Sequence, residues 1–204
     1  ETAHQLGTPI SALVAWVEYL RLKPENKEVC NEITKDINRL NMITQRFSQI
    51  GTNPELLPQN IIPVVQNAMA YLSSRSSKKV NFVLNLPQDT EIILPINQCL
   101  IEWTLENLSK NAIDAMGGIG TLTLDLTQDS KRVFIDVSDT GKGMPKKQFK
   151  KVFEAGFTTK ERGWGMGLSL AKRIIEEYHH GKIFVKQSTI NRGTTFRIVL
   201  KKEE

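Results

Sequence analysis

The run Asp139-Thr140-Gly141-Lys142-Gly143-Met144-Pro145 follows directly on the alternating stretch Val133-Phe134-Ile135-Asp136-Val137. A carboxylate at a strand end, beside a glycine turn, accepts hydrogen bonds from an exocyclic amine. Adenine offers such an amine; guanine offers a carbonyl oxygen there, which would repel the charge. Gly141 and Gly143 would let the backbone pass close to a flat ring, where a β-carbon would collide. Alone the pattern is weak, because strand–turn junctions carry Asp and Gly for turn chemistry too.

Two further segments carry chemistry of the same kind. Gly163-Trp164-Gly165-Met166-Gly167-Leu168 stands immediately before an expected helix. Alternate glycines leading into a helix N-terminus expose amide donors that suit a polyphosphate; the plain alternative is a hinge. The spacing is not the Rossmann fingerprint, and no Gly-Lys-Ser/Thr ending makes it a P-loop. In Glu106-Asn107-Leu108-Ser109-Lys110-Asn111-Ala112-Ile113-Asp114, Asn107 and Asn111 are four apart and share one helix face. Side-chain carbonyl oxygens on that face can hold Mg²⁺, a hard ion that keeps waters and bridges phosphates.

The elements that must position these residues follow from periodicity. Residues 1–22 read as a helix with Ile10, Leu13, Val14, Val17 and Leu20 on one stripe, interrupted at Pro24. Val29, Ile33, Ile37, Leu40, Ile43, Phe47 and Ile50 predict a second helix with a bundle seam. Two helices alone cannot bury both faces, and a second copy of the hairpin is the expected partner. Gly51-Thr52-Asn53-Pro54 reads as a boundary, giving domains 1–52 and 53–204. Beyond it a helix over 61–72, strands near Val80–Leu86 and Glu91–Leu94, and a helix over 97–116 are predicted. Strands around Leu122–Leu126 and Val133–Val137 follow, then a helix from about Met166 to before Gly181, and strands 183–187 and 194–200. Strands on one side and three helices on the other make a two-layer α/β sandwich; the chain as a whole is α+β.

Composition narrows the class without deciding it. The 204 residues are 40% hydrophobic and 24% charged, ordinary values for a globular protein, and the net charge is +5. The basic cluster Lys146, Lys147, Lys150 and Lys151 lacks the repeated aromatics of a stacking platform, so no nucleic-acid partner is expected. Cys30 and Cys99 form neither a metal motif nor a disulfide framework, which fits a reducing, cytoplasmic compartment. No segment has the apolar length of a membrane span and no signal peptide is visible. The chain begins at Glu1 rather than Met, so it is expected to be a piece of something longer; any membrane attachment would run through segments outside it.

Taken in order, these segments resemble the N, G1, F and G2 boxes of the ATP-binding domain of sensor histidine kinases. Lys151-Val152-Phe153-Glu154-Ala155-Gly156-Phe157-Thr158-Thr159-Lys160 resembles the F box, and Gly193-Thr194-Thr195-Phe196 the final glycine box. Ala3-His4-Gln5-Leu6-Gly7-Thr8-Pro9-Ile10 resembles the H box, which carries the phospho-acceptor histidine of a dimeric helical hairpin, a four-helix bundle in the homodimer. The resemblance implies ATP and Mg²⁺ as cofactors and His4 as nucleophile. It also implies Asn111 on the metal, Asp139 on the adenine amine, and Asn107 supporting the phosphates. Gly163, Gly165, Met166, Gly167 and Leu168 would then form the phosphate loop, with Lys160 as a further phosphate contact. The product would be relayed to an aspartate of a response-regulator receiver domain.

One position separates reaction types. Related gyrase-type and mismatch-repair ATPases carry a Glu where this chain has Asn107 and use it to activate water. Asn107 cannot act as a base, and its neighbour Glu106 points roughly 100° away around the helix. Transfer to a protein nucleophile is therefore favoured over hydrolysis. The chain also departs from the family. Gln5 stands where an acidic residue usually orients the histidine or takes its proton; Gln can do the first but not the second. Thr8 occupies a place the family links to phosphatase activity, but its usual acidic partner is again Gln5. Trp164 stands where a small residue is usual. Gln5 keeps alive the rival reading of a nucleotide-binding scaffold or phosphatase with weak kinase chemistry.

Overall fold

The computed structural model describes residues 2–31, 33–34, 36–37, 40, 54–88, 90–158 and 165–202, the side chains of 2–9 and 24 excepted. The chain divides into two compact units, Glu1–Pro54 and Glu55–Glu204.

In the first unit, α1 spans Thr2–Arg21 and a 3₁₀ turn follows at Pro24–Asn26. Residues 27–31, 33–34, 36–37 and 40 are also helical. Ile10 and Val17 of α1 form a small core with Cys30 and Ile37, and half-buried Ile33 packs on it. Arg21 Nη2 donates to Thr34 Oγ1 at 2.9 Å, tying the end of α1 to the second helical stretch. The rest of the expected stripe stays in solvent in the single chain: Leu13, Val14 and Leu20 are 42%, 41% and 39% exposed, and Val29 and Leu40 are exposed too. Ile43, Phe47, Ile50 and the boundary residues Gly51 to Asn53 lie outside the described residues.

The second unit is built on a five-stranded mixed sheet. Its strands are β2 (Val80–Asn85), β4 (Gly120–Gln128), β5 (Arg132–Asp139), β6 (Lys182–Thr189) and β7 (Gly193–Lys201), in the order β2-β4-β5-β7-β6. Among the described residues only the β2–β4 pair is parallel, with Leu84 opposite Leu124; Leu126 pairs with Ile135, Ile135 with Ile198, and Ile183 with Ile198. Strand period two sends Leu122, Leu124, Leu126, Val133, Ile135 and Val137 to one face. That face packs on α2 (Ile61–Arg75), α3 (Gln98–Ala115) and α4 (Gly167–Arg173) through one core. The opposite face carries Phe134 and an ion cluster in which Asp136 accepts from Arg197 at 2.6 and 2.7 Å and from Lys186 at 2.7 Å.

Local chemistry sets the helix ends. Asn97 caps α3, its side chain accepting from the Leu100 N–H at 3.2 Å, and Asn60 caps α2 through the Ile62 N–H. Three elements differ from expectation. A short ribbon pairs β1 (Leu57–Asn60), which the sequence reading lacked, with β3 (Ile93–Ile96), placed two residues later than expected. Asn60 Oδ1 also accepts from the Ile92 N–H, which pins that register. The last helix is α-helical only to Arg173 and finishes as a π-helical turn over Ile174–Tyr178.

Candidate functional site

A cavity of about 740 Å³ opens on the second unit. That volume lies within the range of small-molecule sites. Asp139 at the end of β5, Gly143 from the loop after it, and Thr194 and Phe196 from β7 line it; Phe196 is met edge-on by Phe153 at 6.0 Å. Asn111, Asp114 and Ala115 from the last turns of α3 form one wall. Gly165, Met166, Gly167 and Leu168 form another. Lys142, Met144, Gln148, Val152, Phe157 and Thr158 complete the lining.

Asp139 is held from below. Its Oδ1 accepts the Gly141 N–H at 2.8 Å, and the Thr194 backbone N–H also bonds it. Burial nonetheless dominates and pushes its carboxyl above the ordinary carboxylate range, because those two donors only partly replace lost water. The loop after it is stitched on both sides. Lys142 N–H donates to Ala115 O at 3.0 Å, Asn191 N–H donates to Lys142 O at 2.8 Å, and Met144 N–H donates to Ser188 Oγ at 2.8 Å.

The two glycines of this loop also pack tightly on the protein's own backbone. A β-carbon on Gly141 would lie 2.5 Å from the Ala115 carbonyl oxygen, and one on Gly143, where φ is +64°, would lie 2.1 Å from Thr189 O. At both positions the protein's own backbone excludes a side chain; Gly143 lines the cavity, and Gly141 is not among its lining residues.

The glycine loop reaches the cavity through Gly165, Met166, Gly167 and Leu168; Lys160, Gly163 and Trp164 lie outside the described residues. Gly156 N–H donates to Gly165 O at 3.1 Å, fastening the loop to the F-box segment. Met166 precedes α4 and offers no side-chain acceptor to its first-turn N–H groups. Asn107 stands behind this wall: a β-carbon on Gly167 would lie 3.7 Å from its Oδ1. Its Nδ2 is a buried donor without an acceptor among the described residues. Glu106 is buried on another side of α3 and paired with Lys110 Nζ at 3.4 Å, outside the cavity lining.

For a metal, the donor chemistry on the cavity wall suits Mg²⁺. Asn111 supplies a hard carboxamide oxygen, and no group of three or more His, Cys, Asp or Glu forms an all-protein cage among the described residues. Mg²⁺ is ordinarily held by one or two protein oxygens, the rest of its shell coming from phosphates and water. His4, Gln5 and Thr8 have helical backbone in α1 of the first unit, and their side chains lie outside what is described. The Lys146–Lys151 cluster forms two 3₁₀ turns, and Phe149 within it packs half-buried on the core. Residues the sequence reading left without a role, Lys142, Met144, Val152, Phe157, Thr158 and Thr194, line the cavity. All lie inside the glycine and F-box segments, so motif membership was the available signal.

Residues 98–204 match the family described as histidine kinase-, DNA gyrase B-, and HSP90-like ATPase, and the chain belongs to that family. It is similar to sensor protein TdiS of Thauera aromatica, 31% identical over 219 residues that span 97% of this chain and 38% of that protein. The nucleotide-free catalytic domain of histidine kinase ThkA has the same fold, with a TM-score of 0.64 and 27% identity over 73% of this chain and 97% of that one. The structure of ThkA in complex with response regulator protein TrrA shares the fold too, with a TM-score of 0.64 and 24% identity over 99% and 60% of the two chains. The chain spans 27% to 47% of the length of the curated relatives it matches. The second unit is thus a histidine-kinase-type ATP-binding domain. No helix among the described residues is long and apolar enough to cross a membrane.

Proposed function

We propose that this chain is the catalytic core of a sensor histidine kinase, with a dimerisation and phospho-acceptor hairpin over 1–52 and an ATP-binding domain over 53–204. A neutral imidazole nitrogen of His4 attacks the γ-phosphorus of ATP. The bond from that phosphorus to the β–γ bridging oxygen breaks, ADP leaves, and the ring sheds its proton. The phosphoryl group then passes to an aspartate carboxylate of a response-regulator receiver domain; the ThkA–TrrA complex is the precedent among relatives.

The observation that carries this reading is one cavity lined by Asp139, Asn111 and the Gly165–Leu168 loop together, with Asn107 where a hydrolytic relative would have a glutamate. Asp139 takes the adenine 6-amine. The first-turn amides of α4 and the orphaned Asn107 Nδ2 offer donors to phosphate oxygens, and by the resemblance Lys160 and Gly163 would contact the phosphates too. Asn111 holds Mg²⁺, which neutralises charge on the phosphates. The exposed Leu13, Val14 and Leu20 suit a four-helix bundle formed by two copies of the hairpin. Such a core works in the cytoplasm, with any membrane anchor outside the chain. Thr8 would serve a phosphatase reaction on the regulator.

Gln5 favours a second reading, a nucleotide-binding scaffold or regulator phosphatase with weak kinase chemistry, because an amide cannot take the imidazole proton. Incubation with γ-labelled ATP and Mg²⁺ separates the two. Acid-labile label that His4→Gln abolishes, rising about tenfold or more in Gln5→Glu, is expected of the kinase. Nucleotide binding with no label on either protein would establish the scaffold, and free phosphate without labelled protein would establish a hydrolase.

A further inference from the structure

The α3 wall of the cavity carries a group that the reaction above leaves unused. Asn107, Asn111 and Asp114 are spaced i, i+4, i+7 and so form one stripe along the helix. The two ends of that stripe are anchored to different parts of the site. At the Asn107 end, Gly167 of the glycine loop lies against the carboxamide. At the other end, Ala115 O accepts the Lys142 N–H, and the adjacent Gly141 N–H is bound to Asp139. The stripe therefore runs from the phosphate loop toward the base carboxylate, and Asp114 lies three residues, about 4.5 Å along the axis, beyond Asn111 in that direction.

Resting on the ATP-binding reading, the chemistry of the ligand settles what a carboxylate there can bind. Phosphate oxygens repel it. The adenine edge has one exocyclic donor, the 6-amine, which Asp139 takes; its other edge nitrogens N1, N3 and N7 are acceptors. The remaining donors on ATP are the ribose 2′- and 3′-hydroxyls, which join the base to the phosphates. We propose that Asp114 is a specificity-determining residue that accepts hydrogen bonds from the ribose hydroxyls, making the site selective for ribonucleotides. A carboxylate on a ribose diol is the device dinucleotide-binding folds use for the same purpose.

The experiment is calorimetric titration of the whole chain with ATP, 2′-deoxy-ATP and 3′-deoxy-ATP, with and without Mg²⁺, in the wild type, Asp114→Ala and Asp114→Asn. Asp114 is exposed, so both variants should keep the wild-type melting temperature, which is measured alongside. The wild type is expected to bind ATP about tenfold more tightly than at least one deoxy analogue, the scale of a hydrogen bond to a charged group. Asp114→Ala should weaken ATP to the level of that analogue and leave the analogue unchanged, while Asp114→Asn, which keeps one acceptor, should fall between. Equal affinity for all three nucleotides in the wild type, or a preference that survives in Asp114→Ala, overturns the proposal while ATP binding stands. Equal weakening of all three in Asp114→Ala, seen only with Mg²⁺, overturns it in favour of a metal ligand. If no nucleotide binds any of the proteins, the ATP-binding reading falls and this one with it.

Discussion

His179 Nε2 accepts the backbone N–H of Asn97 at 3.1 Å, joining the end of the last helix to the cap of α3. Its Nδ1 lies 2.8 Å from Ile174 O and must donate there, so the two partners fix a neutral ring protonated at Nδ1. Burial holds its pKa below the usual histidine range, the Ile174 bond raises it in part, and a charge on neighbouring His180 lowers it again. A proton on Nε2 would turn the acceptor facing Asn97 into a donor. Because the folded pKa is depressed, this stability is fully present above about pH 6.5 and is lost as pH falls from there through the folded value. The slope reaches at most about 1.4 kcal/mol per pH unit. Chemical denaturation of wild type and His179→Gln at steps from pH 7.5 to 5 checks this: the wild type should lose more stability across the window, and parallel curves would refute it.

Asp139 shows the opposite sign. Its folded pKa is raised, so its contribution is complete below the ordinary aspartate pKa and is lost as pH rises through the folded value. At neutral pH the ionised carboxylate is a cost to the empty fold. Asp139→Asn should therefore raise the melting temperature of the nucleotide-free protein at pH 7 while weakening ATP about tenfold or more, since in the proposed adenine contact a donor would replace an acceptor opposite the amine. Thermal melts and titration of one sample report both. A variant that loses stability along with affinity would show that the carboxylate serves the fold instead.

His180 holds φ at +51° on an exposed turn, where a side chain crowds its own backbone. Left-handed backbone costs a non-glycine residue roughly 1–2 kcal/mol, and the extra unfolded-state freedom of glycine returns roughly half of that. His180→Gly is expected to stabilise the protein by about 0.5–1 kcal/mol with ATP affinity unchanged, as read by the denaturant midpoint and the same titration.

What the sequence made legible was whatever is encoded locally. Alternation announced the strands β4 and β5, and the helix expected over 97–116 is α3 to within one residue at each end. The ribbon β1–β3 was hidden because Leu57-Pro58-Gln59-Asn60 has no alternation and sets Pro58 opposite Pro95, so only tertiary pairing makes it a strand. The cavity motifs were readable as three glycine- and asparagine-bearing segments. The tight contact of Gly141 and Gly143 with Ala115 and Thr189 was not, because it joins backbone far apart in sequence. His179 carried no sequence signal either, since its partners are a carbonyl five residues back and an amide from the far end of the domain.

The parallel pairing of β2 with β4 has a kinetic consequence. The antiparallel pairs β4–β5 and β6–β7 join neighbouring segments and can zip soon after collapse. β2 can pair only after the chain has run through β3 and α3 and closed that long loop, an entropic cost paid before any reward. The asparagine-bearing wall belongs to that crossover, and the cavity is complete only once the long-range pairs β2–β4 and β5–β7 have both closed. A ligand that fills it discriminates the finished domain from every partly assembled one, and at saturating concentration it adds stability in proportion to the logarithm of its excess over Kd.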